Sequence, residues 1–215
     1  ALPIYCMFIE CDNKKFYKRY IVTGFLFVGI LGTLFHFVYD WCRQARLIGL
    51  FVPVNESTWE HMKLLFIPML IYIAICFQYV KKKAGCKYVS DKNSMKIFSK
   101  DSKISVNVKN EKNNEICKII YTGLLGNIVG TWSIPFLFYG YKGILGFEVA
   151  WIDISTFFIA VFIAFVLQYH ILINSHKKQT MNCGKILLIV NLIQFIAFVL
   201  LTYHPLGFGI FVSPV

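Results

Sequence analysis

Seven acidic and histidine side chains in this sequence could bind a divalent cation or transfer protons. The candidate metal ligands are His36, Asp40, His61, Asp153 and His204, and the candidate general bases are Glu56 and Glu60. A catalytic zinc site needs about three protein ligands, an open coordination position and a carboxylate that can accept a proton. Because the sequence contains no H-E-x-x-H motif, such a site has to be assembled from separate segments.

The seven cysteines do not extend this candidate site. They are irregularly spaced and include no C-x-x-C pair, so they indicate neither a zinc knuckle nor a disulfide framework. We expect free thiols.

The spacing of three candidate ligands favours a shared location. His36 and Asp40 are four residues apart in an apolar segment, which places them one turn apart on one face of a helix. Asp153 lies four residues into another apolar segment, so we expect it at a depth similar to that of His36. Such groups inside apolar helices normally face a pocket or a partner rather than lipid.

The segment of residues 51–63 contains most of the other candidates. Residues 57–60 read Ser-Thr-Trp-Glu, which fits a capping box at the start of a helix, and Asn55 is an alternative cap. This structural interpretation leaves Glu56 and His61 without a role. Both are therefore available for chemistry.

Composition indicates the elements that must position these residues. The 215 residues are 57% hydrophobic and 15% charged, with a mean hydropathy of +0.61, which excludes a water-soluble domain. Five apolar stretches are each about long enough to span a bilayer as a helix. They cover residues 20–41, 64–80, 119–141, 149–173 and 186–203. We predict an all-α bundle with about five transmembrane spans in a single domain.

Basic residues predict the orientation of this bundle. Four precede the first span, ten lysines lie between residues 81 and 112, and three more precede the fifth span. Since cytoplasmic loops are rich in Lys and Arg, the N-terminus is predicted in the cytoplasm and the C-terminus outside. The net charge of +11 then reflects membrane orientation, and we expect no nucleic-acid partner. All seven candidates fall at or near the outer face, together with Glu148.

The segment of residues 81–115 is expected to be a polar cytoplasmic loop. Weak alternation of polar and apolar residues at 95–99 and 104–108 predicts a small hairpin within it. The alternative is an irregular loop that its lysines hold near anionic lipid.

Two motifs resemble an uncharacterised family of small bacterial multi-pass membrane proteins. They are H-F-V-Y-D-W at residues 36–41 and P-V-N-E-S-T-W-E-H-M-K-L at residues 53–64, and the similarity is clearest over residues 29–70. Residues 203–214 resemble the family's ending more weakly, with Leu206 in place of a second proline. The resemblance implies an integral protein of the bacterial plasma membrane, and it supplies no activity.

Three hypotheses remain open for the outer face. The first is a divalent-metal site, with zinc as the expected ion, that activates water against a lipid or peptide. The second is a site for transporting a proton, a cation or a small solute. The third is a structural network in a protein that works by binding a partner. Expected partners are membrane lipids and a lipid or small-molecule ligand at the outer face, and oligomerisation is compatible with the sequence.

Overall fold

The computed structural model describes residues 2–95, 102–174, 181–207 and 209–212. Seven α-helices and one 3₁₀ helix follow each other along this part of the chain. They are α1 (Leu2–Trp41), α2 (Arg46–Gly49), α3 (Thr58–His61), α4 (Lys63–Met95), α5 (Ser102–Leu145), α6 (Ala150–Asn174), α7 (Met181–Tyr203) and the 3₁₀ helix Gly209–Phe211. The described residues contain no strand, which confirms the all-α prediction.

Five helical segments are long and apolar enough to cross a membrane. They are Lys14–Trp41, Thr58–Val80, Ile116–Leu145, Ala150–Asn174 and Gly184–Tyr203. Each overlaps one of the five predicted stretches, so the predicted number of spans is confirmed. Helices are the form expected here, because a spanning segment has to satisfy its backbone hydrogen bonds internally.

The core of the bundle lies around α4 and α5. About half of each of their spanning windows is buried (50% and 56%), against 22% for α1 and for α7. Fully buried rings such as Phe66 and Phe198 pack edge to face with their centroids 5.1 Å apart. The exposed faces of the outer helices are also apolar, as with Leu192 and Ile196 of α7, which suits a surface that faces lipid.

Small residues let α5 approach its neighbours closely. A Cβ added at Gly126 would lie 2.5 Å from the Gln168 amide nitrogen of α6, and one at Gly130 would lie 2.8 Å from the Ala164 methyl. Helices that pack through small residues approach to backbone contact. Gly126 and Gly130 therefore allow the close packing of α5 against α6.

The polar segment of residues 81–115 differs from the expected loop and hairpin. α4 continues to Met95, and α5 already begins at Ser102, so the second predicted strand, residues 104–108, is helical. Residues 96–101, which include most of the first predicted strand, lie outside the described residues. A helix that is already nucleated extends by one hydrogen bond per added residue. Extension from two membrane-anchored helices therefore overrides a weak alternation of only five residues.

Three cysteines have described side chains, namely Cys42, Cys76 and Cys117. Each is a free thiol of intermediate burial. The prediction of free thiols is confirmed for these three.

Candidate metal centre and adjoining pocket

Several segments meet at the end of the bundle that contains α3, called the α3 end below. α1 ends there, the connection of residues 42–57 follows, and α3 begins. The chain reverses directly after α1, where Arg43 and Gln44 adopt left-handed backbone with φ of 54° and 57°. The Gln44 backbone N–H donates to the Tyr39 carbonyl at 2.9 Å. This tight reversal returns the connection to the bundle, so that residues from α1 and from the connection can meet.

The start of α3 is capped by the predicted residues. Ser57 Oγ accepts a hydrogen bond from the Glu60 backbone N–H at 3.4 Å, and Asn55 Oδ1 accepts one from the Ser57 N–H at 2.9 Å. In a complete capping box the Glu60 carboxylate would return to the Ser57 N–H. It accepts instead from the Val54 N–H at 3.0 Å. Asn55 and Ser57 therefore share the capping role that the sequence gave as alternatives.

A cluster of two histidines and one glutamate lies beside this cap. His36 of α1, Glu56 of the connection and His61 of α3 each offer one ligand atom, and these atoms lie within 4.8 Å of one another. Glu56 is central, with Oε2 3.3 Å from His61 Nε2 and Oε1 3.9 Å from His36 Nε2. The side chains of His36 and His61 are 34% and 29% exposed, whereas that of Glu56 is 68% exposed. The cluster is therefore partly enclosed and open on one side.

The second nitrogen of His61 is held by the backbone. His61 Nδ1 lies 3.0 Å from the Ser57 carbonyl oxygen, which can only accept, so Nδ1 carries the proton in this bond. In the neutral imidazole, Nε2 then has a free lone pair directed at the Glu56 carboxylate, which is also an acceptor. Two acceptors at 3.3 Å need a proton or a cation between them. Metal-binding histidines commonly have this backbone bond at the remaining nitrogen.

The spacing of the ligand atoms suits a small divalent ion. Two donors bound at about 2.0–2.1 Å to one tetrahedral Zn²⁺ lie about 3.3 Å apart. The separation of Glu56 Oε2 and His61 Nε2 has this value, at 3.3 Å. His36 Nε2, 3.9 Å from Glu56 Oε1, would have to move closer to complete three ligands. Two imidazoles and one carboxylate are also a donor set that Zn²⁺ uses at catalytic sites.

The histidines alter the acidity of Glu56. Without a cation, a proton on His61 Nε2 donates a hydrogen bond to Glu56, and this bond is the main cause that lowers the pKa of the Glu56 carboxyl. Partial burial opposes it, while the charges of His61 and His36 act in the same direction. The carboxylate is thereby kept in the ionised form that binds cations.

A pocket of about 310 Å³ adjoins the cluster. Its polar lining consists of Glu56, Thr58, His61, Glu148, Asp153 and Thr156, and its apolar lining of Leu64, Ile134, Phe138 and Phe157. These residues come from α3 to α6 and from the connections between helices. The pocket brings the predicted residue Asp153 next to two members of the cluster.

The two other carboxylates of the pocket have different partners. Glu148 forms an ion pair with Lys142, and Asp153 accepts a hydrogen bond from the Tyr141 hydroxyl. Glu148 therefore has a cationic partner, whereas the partner of Asp153 among the described residues is a neutral hydroxyl.

Glu60 lies away from the pocket, in a second polar site. Its side chain is 2% exposed, and Oε2 accepts from Lys63 Nζ at 2.7 Å. Lys63, with 0% of its side chain exposed, also donates to Thr202 Oγ1 at 2.6 Å and to the Gly49 carbonyl at 3.0 Å. The Thr202 hydroxyl is 3.2 Å from Glu60 Oε1. These contacts occupy the Glu60 carboxylate and leave it no access to a substrate at the cluster.

Sequence reasoning did not single out Lys63 and Thr202. The available signal was that Lys63 follows Glu60 by three positions, which places opposite charges on one helical face. Thr202 offered no signal of its own, because its contact with Lys63 spans 139 positions. Glu60 and His61 are neighbours about 100° apart around the helix. One of them therefore enters the core and the other faces the pocket.

Two further candidate ligands are not brought to the cluster. Asp40 is exposed, and its Oδ1 lies 3.5 Å from the Gln44 amide nitrogen beyond the end of α1. His204 is exposed just after the end of α7. Of the seven candidates, His36, Glu56 and His61 form the cluster and Asp153 joins them through the pocket.

Residues 9–107 match a family described as a family of unknown function (DUF6512). The match covers just under half of the chain and includes both motifs that carry the resemblance to an uncharacterised family. Neither the comparison with curated proteins nor the comparison with solved structures gave a match.

Proposed function

We propose that this protein binds a divalent cation, with zinc as the best-suited ion, through His36, Glu56 and His61 at one face of the membrane. The observation that carries the proposal is the approach of three ligand atoms from separate segments to within 4.8 Å. A salt bridge would need only two of these groups, and within the part of the chain that the structure describes His36 has no polar partner besides Glu56. A cation would bind both imidazoles and take the place of the proton between His61 Nε2 and the Glu56 carboxylate.

The surroundings of the cluster also support a cation. Three carboxyl groups line the pocket, and within the described part of the chain only that of Glu148 has a lysine partner. Glu56 and Asp153 are the two acidic groups without one among the described residues. One divalent ion would balance these two charges. Three protein ligands leave a fourth tetrahedral position, and the adjoining pocket supplies space for a water molecule or a ligand there.

The direct test is metal analysis of protein purified in detergent, with any affinity tag removed. We expect about one zinc ion per chain after loading and dialysis, and at most a trace in His36→Ala/His61→Ala. His204→Ala is the matched control, because it also removes a histidine from this end of the bundle, and it should retain the zinc. Equal metal content in wild type and the double variant would end the proposal. So would a loss of zinc in His204→Ala alone.

Asp153 favours a hydrolytic use of the cation. A bound cation would lower the pKa of a water molecule beside the pocket. The Asp153 carboxylate would accept one proton as that water adds to the carbonyl of an ester or amide, and would return the proton to the departing alcohol or amine. The role as general base that the sequence suggested for Glu56 and Glu60 thus passes to Asp153, since Glu56 is a ligand and Glu60 is paired with Lys63.

A chromogenic short-chain ester in detergent micelles can test this scheme. Wild type loaded with zinc should hydrolyse the ester, and Asp153→Asn should lose at least about 100-fold of the rate, the range for general-base catalysis, while its zinc content stays unchanged. If wild type were no faster than His36→Ala/His61→Ala, the site would bind a cation without this chemistry.

We further propose that the α3 end faces outward in a bacterial plasma membrane, with the N-terminus in the cytoplasm. The excess of lysines in the segments that connect the opposite ends of the spanning helices supports this orientation. The partners would then be membrane lipids and an amphiphilic ligand whose apolar part contacts Ile134, Phe138 and Phe157. Cysteine labelling with a membrane-impermeant reagent, in a protein whose native cysteines are replaced by serine, tests the orientation. Glu148→Cys should react in intact cells and Lys185→Cys only after lysis, and the reverse result would invert the orientation.

A further inference from the structure

α5 and α7 make a polar contact near the middle of their membrane-spanning windows. Asn127 Nδ2 of α5 donates to Asn191 Oδ1 of α7 at 2.8 Å. Asn191 Nδ2 donates to the Leu187 carbonyl at 2.8 Å and to the Leu124 carbonyl at 3.3 Å. Because two carbonyls hold the Asn191 amide nitrogen, its oxygen must face Asn127. Asn127 therefore donates through Nδ2 to Asn191, and its Oδ1 faces away from this bond.

The two helices run in the same direction from this contact. Phe138 of α5 lines the pocket beside His61, and Thr202 of α7 bonds with Lys63, so both helices lead to the α3 end. One turn beyond the asparagine pair are Thr131 on α5 and Gln194 on α7. They lie at the centres of the spanning windows 116–145 and 184–203. The topology thus places these two residues at one level of the same interface.

Three polar atoms around this level have no protein partner within the described residues. They are Asn127 Oδ1, Thr131 Oγ1 and Gln194 Nε2. Asn127 and Thr131 are fully buried, and Gln194 is 7% exposed. Polar groups in the interior of a membrane protein are strongly destabilising when they lack a hydrogen-bond partner. Three such atoms at one level of one interface indicate a bound molecule that serves as their hydrogen-bond partner.

We propose that this interface binds a water molecule. A water can accept a hydrogen bond from Gln194 Nε2, donate one to Asn127 Oδ1 and exchange a third with the Thr131 hydroxyl. Buried waters in proteins typically make about three hydrogen bonds to groups that would otherwise be unsatisfied. A cation would be repelled by the amide N–H of Gln194, and an anion by the carbonyl oxygen of Asn127. The bound molecule therefore has to be neutral and able both to donate and to accept hydrogen bonds.

The water site is separate from the cation cluster. Fully buried Phe198 follows Gln194 by one turn on α7 and packs against Trp59 and Phe66, with centroid distances of 4.8 and 5.1 Å. This aromatic layer lies between the level of Gln194 and that of Thr202. The rings of Phe66 and Phe198 therefore separate the site from Thr202 and Lys63.

NMR of the whole protein in nanodiscs can detect the water. With deuterated lipid and ¹⁵N-labelled side-chain amides, Gln194 should show a cross peak to water in its amide protons. Asn191 is the internal control, because its amide lies on the same interface but is bonded to two carbonyls, and it should show none. The absence of a water peak at Gln194 would overturn the proposal, as would equal peaks at both amides.

Thermal unfolding of two variants gives an independent test. Thr131→Val removes the hydroxyl at nearly constant volume, and Thr131→Ser retains it. A bound water predicts that Thr131→Val lowers the Tm by several degrees more than Thr131→Ser. If the site is dry, Thr131→Val removes an unpaired hydroxyl, and its Tm would be equal to or higher than that of Thr131→Ser, which overturns the proposal.

Discussion

The two polar sites at the α3 end use neighbouring residues of the same short helix and are built in opposite ways. His61 belongs to the cluster with His36 and Glu56, which is partly exposed and in which the Glu56 carboxylate faces the Nε2 atoms of both histidines. Glu60 belongs to a network with Lys63 and Thr202, in which all three groups are buried and paired. A closed network stabilises one packing arrangement, whereas an open cluster leaves ligand positions free. The difference fits the proposal that one side of α3 is structural and that the other binds a cation.

The largest effect is expected from opening the closed network. Lys63→Ala leaves the Glu60 carboxylate buried without its cation, and loss of one partner of a buried ion pair typically costs about 3–5 kcal/mol. The free energy of unfolding in detergent should fall by that amount. Glu60→Gln/Lys63→Met should recover a large part of the loss, because it removes both charges. If Lys63→Ala were as stable as wild type, the network of Glu60, Lys63 and Thr202 would not stabilise the fold.

A smaller effect is expected from zinc at the open cluster. An ion that binds only the folded state stabilises it by about 2.7 kcal/mol at a free concentration of 100 times Kd. Wild type should gain this stability when zinc is added, and His36→Ala should not. In the absence of zinc, the two proteins should differ in stability by no more than about 1 kcal/mol, because the His36 side chain is only partly buried. An equal response to zinc in both proteins would contradict the assignment of His36.

Thr202→Val should separate the two sites further. The variant removes one hydrogen-bond partner of Lys63 and Glu60 with little change in volume, and we expect a loss of about 1–2 kcal/mol. Zinc affinity measured by titration should not change, since α7 contributes no ligand to the cluster. A tenfold weaker zinc affinity in this variant would show that the two sites are coupled.

The smallest effect concerns pH. The pKa of Glu56 is lowered in the folded state, so Glu56 contributes stability above its unfolded pKa, and this contribution is lost as pH falls through the folded value. His61→Gln removes the main cause of the shift and should return the Glu56 pKa towards its usual value. Carboxyl ¹³C titration of selectively labelled, zinc-free protein measures the change. An unchanged pKa in His61→Gln would contradict the hydrogen bond between the two side chains.

Periodicity and composition were sufficient to predict the number of spans and the cap of α3. These features depend on residues close together in sequence, such as Asn55 and Ser57, or on long apolar runs. The shared location of His36, Glu56 and His61 was also predictable in part, because the spacing along α1 and the connection keeps them at one end of a helix.

The separation of Glu60 from this group was not predictable. It depends on Lys63 and Thr202, and the partner on α7 is 139 positions from Lys63. The polar segment between α4 and α5 was wrongly expected to form a hairpin, because its local pattern is weak and the adjoining helices extend into it. Interactions between distant segments therefore limit what one sequence reveals about this site.

The bond between Asn127 and Asn191 has a consequence for the motion of α7. A slide of this helix by one turn, about 5.4 Å, would break that bond and also the 3.3 Å contact of Asn191 with the Leu124 carbonyl. No bulk solvent is available at that depth to replace either partner. A one-turn slide of α7 is therefore disfavoured by the loss of two hydrogen bonds. A tilt about this point would keep both bonds and would instead shift the far end of α7, where Thr202 contacts Lys63.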